Sequence, residues 1–281
     1  MKTLIIRSIS GLVYVALLVC PIFFKLPGFY VAVFSLIALL SLREFALLVN
    51  LNRKRWLRTI LDCLAGAYLF MGHLLYCTDT MGIEVFFPYL FYLLYTLIRN
   101  IYSDREQMVR DTSLTFMGQA YVVLPLLCAN LIAFGPHTTS FLDMRVGLLL
   151  TVFVLIWVND TFAFLSGLSF GRRKLFPSVS PKKTWEGFLG GVLASMIAAT
   201  LIGRFLIEGG GGSNFLMWPL LGLIVSATST WGDLFESNLK RLAGVKDSGN
   251  LIPGHGGMLD RIDSALFALP AAFFVYTVFI P

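Results

Sequence analysis

Nine stretches of this chain are long, apolar and almost free of charge, at residues 9–24, 29–42, 59–77, 82–98, 113–134, 146–170, 187–207, 215–230 and 262–280. A helix needs ~17–25 such residues to cross ~30 Å of hydrocarbon, and most of the nine are that long. The second is the shortest, and it crosses only if its helix continues past Arg43. Apolar residues are 57% of the 281 and charged ones 14%, against roughly 45–50% and 25% in a soluble domain. The expectation is an all-α, polytopic integral membrane protein with about nine transmembrane helices.

Nine crossings would divide the polar segments into two alternating sets on opposite sides of a membrane. One set holds only Lys25, Arg145 and Arg204, and the other holds the remaining 19 of the 22 lysines and arginines. The positive-inside rule puts the richer side in the cytoplasm, with the N-terminus there and the C-terminus outside. Adding or losing one crossing scrambles this asymmetry. Lys2 and Arg7 ahead of an apolar run imitate a signal peptide, but Val19 before Cys20 is not the small residue of a cleavage site; a retained first helix is expected. The net charge of +6 is read as topological bias and attraction to anionic headgroups, notably at Arg53, Lys54, Arg55 and Arg58, and not as affinity for nucleic acid. Cys20, Cys63, Cys77 and Cys128 lie in or beside apolar runs with no C-x2-C spacing. That indicates packing residues, not a zinc site or a disulfide framework.

Residues 1–134 hold few intramembrane charges, Glu44 and Asp62 excepted, and read as a scaffold or oligomerisation region. From 146 to 281 polar residues crowd the helices, with charged loops at 171–186 and 237–261, and the catalytic region is placed there. The sixth helix would enter from outside. Asp160, 14 residues after Val146, then lies about 21 Å along it at 1.5 Å per residue, in the cytoplasmic third. Glu186, Asp233, Asp260 and Asp263 fall at the cytoplasmic ends of the next three helices. Asp233, Glu236, Ser237 and Lys240 share one face if the eighth helix extends into the cytoplasm, and Asp260, Asp263 and Ser264 share another. Such faces suit a hard cation that keeps several waters and is held by one or two carboxylates plus substrate phosphates. Mg2+ is the natural ion, with Asp233, Asp260 and Asp263 as its ligands.

Plainer readings stand beside these. Asp160 is either a polar contact between helices or, as intramembrane ionisable groups usually are, functional. Glu186 either complements a helix N-terminus or joins the site. Asp247 either orders its glycine-rich loop or meets a ligand, and His255 either donates to a phosphate or orders the Gly-Gly turn. Lys182, Lys183, Lys240, Lys246 and Arg261 form a basic set suited to a nucleoside triphosphate with its charge of about minus four. Ser180 and Pro181 read as an N-cap and first-turn pair that aims backbone N–H groups at an anion beside both lysines.

Residues 237–263, SNLKRLAGVKDSGNLIPGHGGMLDRID, follow the pattern S-x-L-K-R-x4-K-D-x-G-x2-I-P-x-H-G-G-M-x-D-R-I-D. This resembles the signature of the phosphatidate cytidylyltransferases, or CDP-diacylglycerol synthases, and the segments WVNDTFAFLSG and SPKKTWEG resemble that family too. The resemblance implies an enzyme that joins CTP to phosphatidate, giving CDP-diacylglycerol and pyrophosphate, at the cytoplasmic leaflet of a bacterial inner membrane. It implies catalytic roles for Asp233, Lys240, Asp260 and Asp263, and substrate contacts from Asp160, Lys182, Lys183, Ser237, Lys246, Asp247, His255 and Arg261. Mg2+ is the implied cofactor, with room for a second, monovalent cation such as K+. CTP, phosphatidate, membrane lipids and a second copy of the chain are the expected partners. A CDP-alcohol phosphotransferase would carry D-x2-D-G-x2-A-R, which is absent. A related membrane cytidylyltransferase or a CTP-dependent lipid kinase would share the nucleotide chemistry. A cation transporter would use the acids but not Lys246, His255 or the glycine spacing.

Overall fold

The computed structural model describes residues 2–49, 56–135, 144–207, 216–254 and 256–279. Arg53, Lys54, Arg55 and His255 lie outside the described residues. Six helices among them are long and apolar enough to cross a membrane: Pro27–Val49, Trp56–Cys77, Arg105–Phe134, Val146–Phe170, Trp185–Phe205 and Leu259–Phe279. The protein is therefore a multi-pass, predominantly helical membrane protein. The other three apolar stretches are helical as well. They are α1 (Lys2–Phe23), whose apolar part Ile9–Phe23 is shorter, α4 (Phe87–Ile101) and α9 (Met217–Leu242). The short second stretch lies within α2 (Pro27–Val49), which does continue past Arg43.

Two compact units form, one from Met1–Met144 with Asp247–Asp260, the other from Arg145–Lys246 with Arg261–Pro281. In the first, α2 lies along α3 (Trp56–Cys77) and α3 along α6 (Leu124–Phe134). Its core is aromatic. Tyr30 lies 4.5 Å from Phe34 between ring centroids, Phe34 stacks on Phe70 at 5.9 Å, and Phe134 meets Tyr30 edge-on at 5.8 Å. The Tyr30 hydroxyl donates to Asn130 Oδ1 at 3.0 Å, and Asn130 Nδ2 donates to the Phe70 carbonyl at 3.2 Å, so these two buried side chains find partners within the core.

One expectation fails in this unit. The helix that holds the fifth apolar stretch runs back to Arg105 through α5 (Arg105–Gly118), joined to α6 by a π turn at Gln119–Val123. Arg58, expected at the headgroups, is buried: Nη1 meets Asp111 Oδ2 at 2.9 Å and Nε faces Asp62 Oδ2 at 3.7 Å. The added turns of α5 bring Asp111 to it. Tyr92 completes the cluster by donating to Asp62 Oδ1 at 2.7 Å. A buried charge persists only when paired and hydrogen-bonded, and this cluster supplies both.

In the second unit α8 (Trp185–Phe205) packs between α7 (Val146–Phe170) and α9. Small residues permit the approach, as is usual between membrane helices. A Cβ on Gly187 would lie 2.7 Å from the Ala163 carbonyl, and one on Gly232 would lie 2.5 Å from the Asp263 carbonyl of α10 (Leu259–Phe279). The Tyr276 hydroxyl ties α10 to α7 by donating to the Leu148 carbonyl at 3.0 Å.

The all-α expectation needs one amendment. Between α7 and α8 lies an antiparallel hairpin, β1 (Lys174–Phe176) and β2 (Ser180–Thr184). Ser180 and Pro181 are therefore extended and do not begin the helix. The cap is Thr184, whose Oγ1 accepts from Gly187 N at 3.1 Å. A Ser-Pro pair fits a two-stranded ribbon equally well, because Pro181 is tolerated where its missing N–H owes no ladder bond.

Candidate functional site

The second unit holds a cavity of about 470 Å3 whose walls include Asp160, Lys174, Lys182, Lys183, Thr230 and Asp233. That volume lies within the range of small-molecule sites, roughly 300–1,000 Å3. Three elements bring these residues together. On α7, Asn159 is 1% exposed and donates through Nδ2 to Ser229 Oγ at 3.2 Å and Thr230 Oγ1 at 3.3 Å, while Ser226 Oγ donates to its Oδ1. Asn159 thus makes a polar contact between α7 and α9, and the adjacent Asp160 lines the cavity. The hairpin brings Lys182 and Lys183 to the same cavity, and α9 brings Asp233.

Lys183 Nζ meets Asp233 Oδ2 at 2.8 Å, and Ser237 Oγ donates to Asp233 Oδ1 at 3.1 Å one turn along α9. The Lys240 ammonium pairs with the buried Glu236 carboxylate on the same helix. These i to i+4 contacts bear out the expected extension of the eighth helix beyond its apolar part. Asp263, 9% exposed, accepts from Ser264 N at 2.6 Å. The charges of Asp233, Lys183 and Arg261 act on Asp160, and those of Asp233, Lys240 and Asp160 act on Asp263. Three acids and three cations thus share one electrostatic neighbourhood.

Among the described residues, no group of three or more His, Cys, Asp or Glu side chains is arranged to hold a metal. A site for Mg2+ needs less, because one or two carboxylates with water and substrate phosphates suffice. Asp233 and Asp263 could supply those oxygens within this unit. The missing Cβ at Gly232, next to Asp233, is what lets α9 approach the Asp263 backbone.

Asp247 and Asp260 belong to the other compact unit, as do the glycines between them. Asp260 Oδ2 accepts from Ser248 N at 2.9 Å and Gly257 N at 2.8 Å, with Ser248 Oγ 3.0 Å away, so it orders the loop ahead of α10. Ile252 N closes a short bridge by donating to the Gly256 carbonyl at 2.9 Å. Asp247 and Lys246 are exposed. Glu186 accepts from the backbone N–H groups of Arg172, at 3.0 Å, and Arg173, at 3.1 Å, pinning the start of the hairpin to α8.

A residue that spacing did not assign to the site is Glu44 of α2. It is 3% exposed and accepts from Ser248 Oγ at 2.9 Å, Met258 N at 3.0 Å and Leu259 N at 2.8 Å. Its one signal in the sequence is a carboxylate in an apolar stretch. Partners more than 200 positions away leave no local pattern to read.

A family model described as the cytidylyltransferase family matches residues 5–279. The chain is 31% identical over 304 aligned positions to the phosphatidate cytidylyltransferase of Haemophilus influenzae, covering 97% of this chain and 98% of that one. It is 47% identical over 124 positions to the phosphatidate cytidylyltransferase of Staphylococcus aureus, covering 43% and 46%. It is also 36% identical over 243 positions to the Escherichia coli K12 protein YnbB, covering 86% and 76%.

Proposed function

The chain belongs to the cytidylyltransferase family, and from that premise we propose that it is a phosphatidate cytidylyltransferase. It transfers CMP from CTP to phosphatidate and releases pyrophosphate, making CDP-diacylglycerol. The observation that carries this reading is the Lys183–Asp233 pair on a cavity wall that also bears Asp160 and Lys182. A lysine held beside a carboxylate is a charge preset where triphosphate charge must be offset.

A phosphomonoester has a second pKa of about 6, so the headgroup of phosphatidate is largely ionised near neutrality and needs no general base. One of its oxygens forms the new bond to the α-phosphorus of CTP. The bond from that phosphorus to the β-phosphate oxygen breaks, and pyrophosphate departs with the electron pair. In this reading Lys182, Lys183, Lys240, Lys246 and Arg261 hold the triphosphate, and Ser237 fixes the Asp233 carboxylate. Asp233 and Asp263 would hold Mg2+, with Asp260 added on the spacing of the motif alone. The bound ion supplies charge neutralisation and alignment for the displacement. Their hard oxygen donors and the two-helix contact at Gly232 support the assignment.

The same proposal covers nine crossings, with the N-terminus in the cytoplasm of a bacterial inner membrane and two copies per assembly. Helices at all nine apolar stretches and the uneven distribution of lysine and arginine support the topology. The test is transfer of label from α-labelled CTP into a lipid fraction by the purified protein, with phosphatidate and with or without Mg2+. Labelled CDP-diacylglycerol that requires both phosphatidate and Mg2+ is expected; no labelled lipid with both present would overturn the reading.

A further inference from the structure

The loop Asp247–Asp260 carries much of the signature, yet it folds with the N-terminal helices. Glu44 is one point at which the two are joined, beside Ser10, whose Oγ donates to the Pro253 carbonyl at 3.0 Å. Its carboxylate accepts from Met258 N and Leu259 N at 3.0 and 2.8 Å, where α10 begins and backbone donors have no intrahelical acceptor. A third donor, Ser248 Oγ at 2.9 Å, comes from the opposite end of the loop. Ser248 Oγ also lies 3.0 Å from Asp260 Oδ2. One carboxylate from α2 thus clamps both ends of a loop whose middle is rich in glycine.

The loop backbone is shaped around this group. A Cβ at Gly249 would come 2.6 Å from Glu44 Oε1, and a Cβ at Gly257 would strike the other carboxylate oxygen. Two of the motif's glycines are therefore required by the approach of Glu44, with no substrate needed to explain them. A carboxylate buried in a helical membrane protein is costly unless its hydrogen bonds are filled, and three donors fill them here.

We propose that Glu44 is a positioning residue for nucleotide transfer, setting the loop and the start of α10 from which Asp260 projects. The proposal rests on the cytidylyltransferase reading above. Glu44 touches no substrate; it acts through Ser248, Met258 and Leu259.

The test compares the full-length wild type with Glu44→Gln and Ser248→Ala in detergent or nanodiscs. Each is read by amide hydrogen exchange over residues 247–259, by melting temperature, and by kcat and the half-saturating Mg2+ concentration in the labelling assay. Glu44→Gln preserves size and should fold, lose exchange protection in this loop only, and show a ~10–100-fold loss in kcat or in apparent Mg2+ affinity, the usual scale for groups that orient ligating residues. Ser248→Ala removes one of the three donors and should show a smaller change of the same kind. Unchanged loop protection in Glu44→Gln would overturn the proposal. So would lost protection with wild-type kinetic constants per folded molecule, because the role would then be structural alone. If the wild type transfers no label, the cytidylyltransferase reading has failed and the role in transfer falls with it. The exchange data still report separately whether Glu44 orders the loop.

Discussion

Lys183 Nζ lies 2.8 Å from Asp233 Oδ2, joining a hairpin that precedes α8 to the polar end of α9. The pair makes the hairpin part of the cavity wall, and it sets an order among the basic residues. Lys183 and Lys182 line the cavity; Lys240 is engaged with Glu236 on its own helix.

Lys183→Ala should therefore raise the KM for CTP more than any other single replacement in the basic set. About tenfold is expected, or about 1.4 kcal/mol. Initial rates at limiting and saturating CTP, beside Lys240→Ala, check the ranking.

Asp233→Asn and Asp263→Asn keep the size of each side chain and remove its charge. Each should lower kcat by roughly 10²–10³-fold, the scale on which a single preorganised electrostatic contact acts. Mg2+ titrations of both variants should shift to higher concentration. Near-normal rates with an unchanged Mg2+ requirement would refute their assignment.

Arg58→Ala should be a stability mutant, not a catalytic one. It strands the buried Asp111 carboxylate and removes a cationic neighbour from Asp62. Breaking a buried pair in this way costs about 3–5 kcal/mol. Thermal melting in detergent measures the loss, and the double variant Arg58→Met with Asp111→Leu should recover much of it.

Transfer should proceed in one displacement. CTP made chiral at the α-phosphorus with sulfur should give a lipid product of inverted configuration. Net retention would demand a nucleotidyl-enzyme, because two displacements restore the original configuration.

Much of the fold was readable because hydrocarbon imposes a length and polarity requirement on any helix that crosses it. Depth along successive helices puts Asp160 and Asp233 at one level, and both line the cavity; Lys182 and Lys183 are read from their charge, not from depth. Hydropathy does not distinguish a charged residue at the membrane surface from one paired in the interior, and so Arg58 was misplaced: its partner Asp111 lies 53 positions away. The Ser-Pro step before the lysines satisfies the local rules of a helix start and of a strand alike, and only the bonding of Thr184 to Gly187 resolves it. Nothing in the sequence singles out Asn159 beside Asp160, and it is only the three hydroxyl-bearing residues on α9 that show it as a contact between helices.

The clamp at Glu44 also has a consequence in time. Ser248 follows Glu44 by 204 positions, which at ~5–20 residues per second is about 10–40 s of synthesis. Through that interval α2 has been made and its carboxylate has none of its final donors. The signature loop therefore cannot take its final order until Ser248, Met258 and Leu259 have followed α2 out of the ribosome. A nascent chain stalled before Leu259 lacks the completed clamp together with Asp260, Arg261 and Asp263, and should remain inert toward CTP until synthesis resumes.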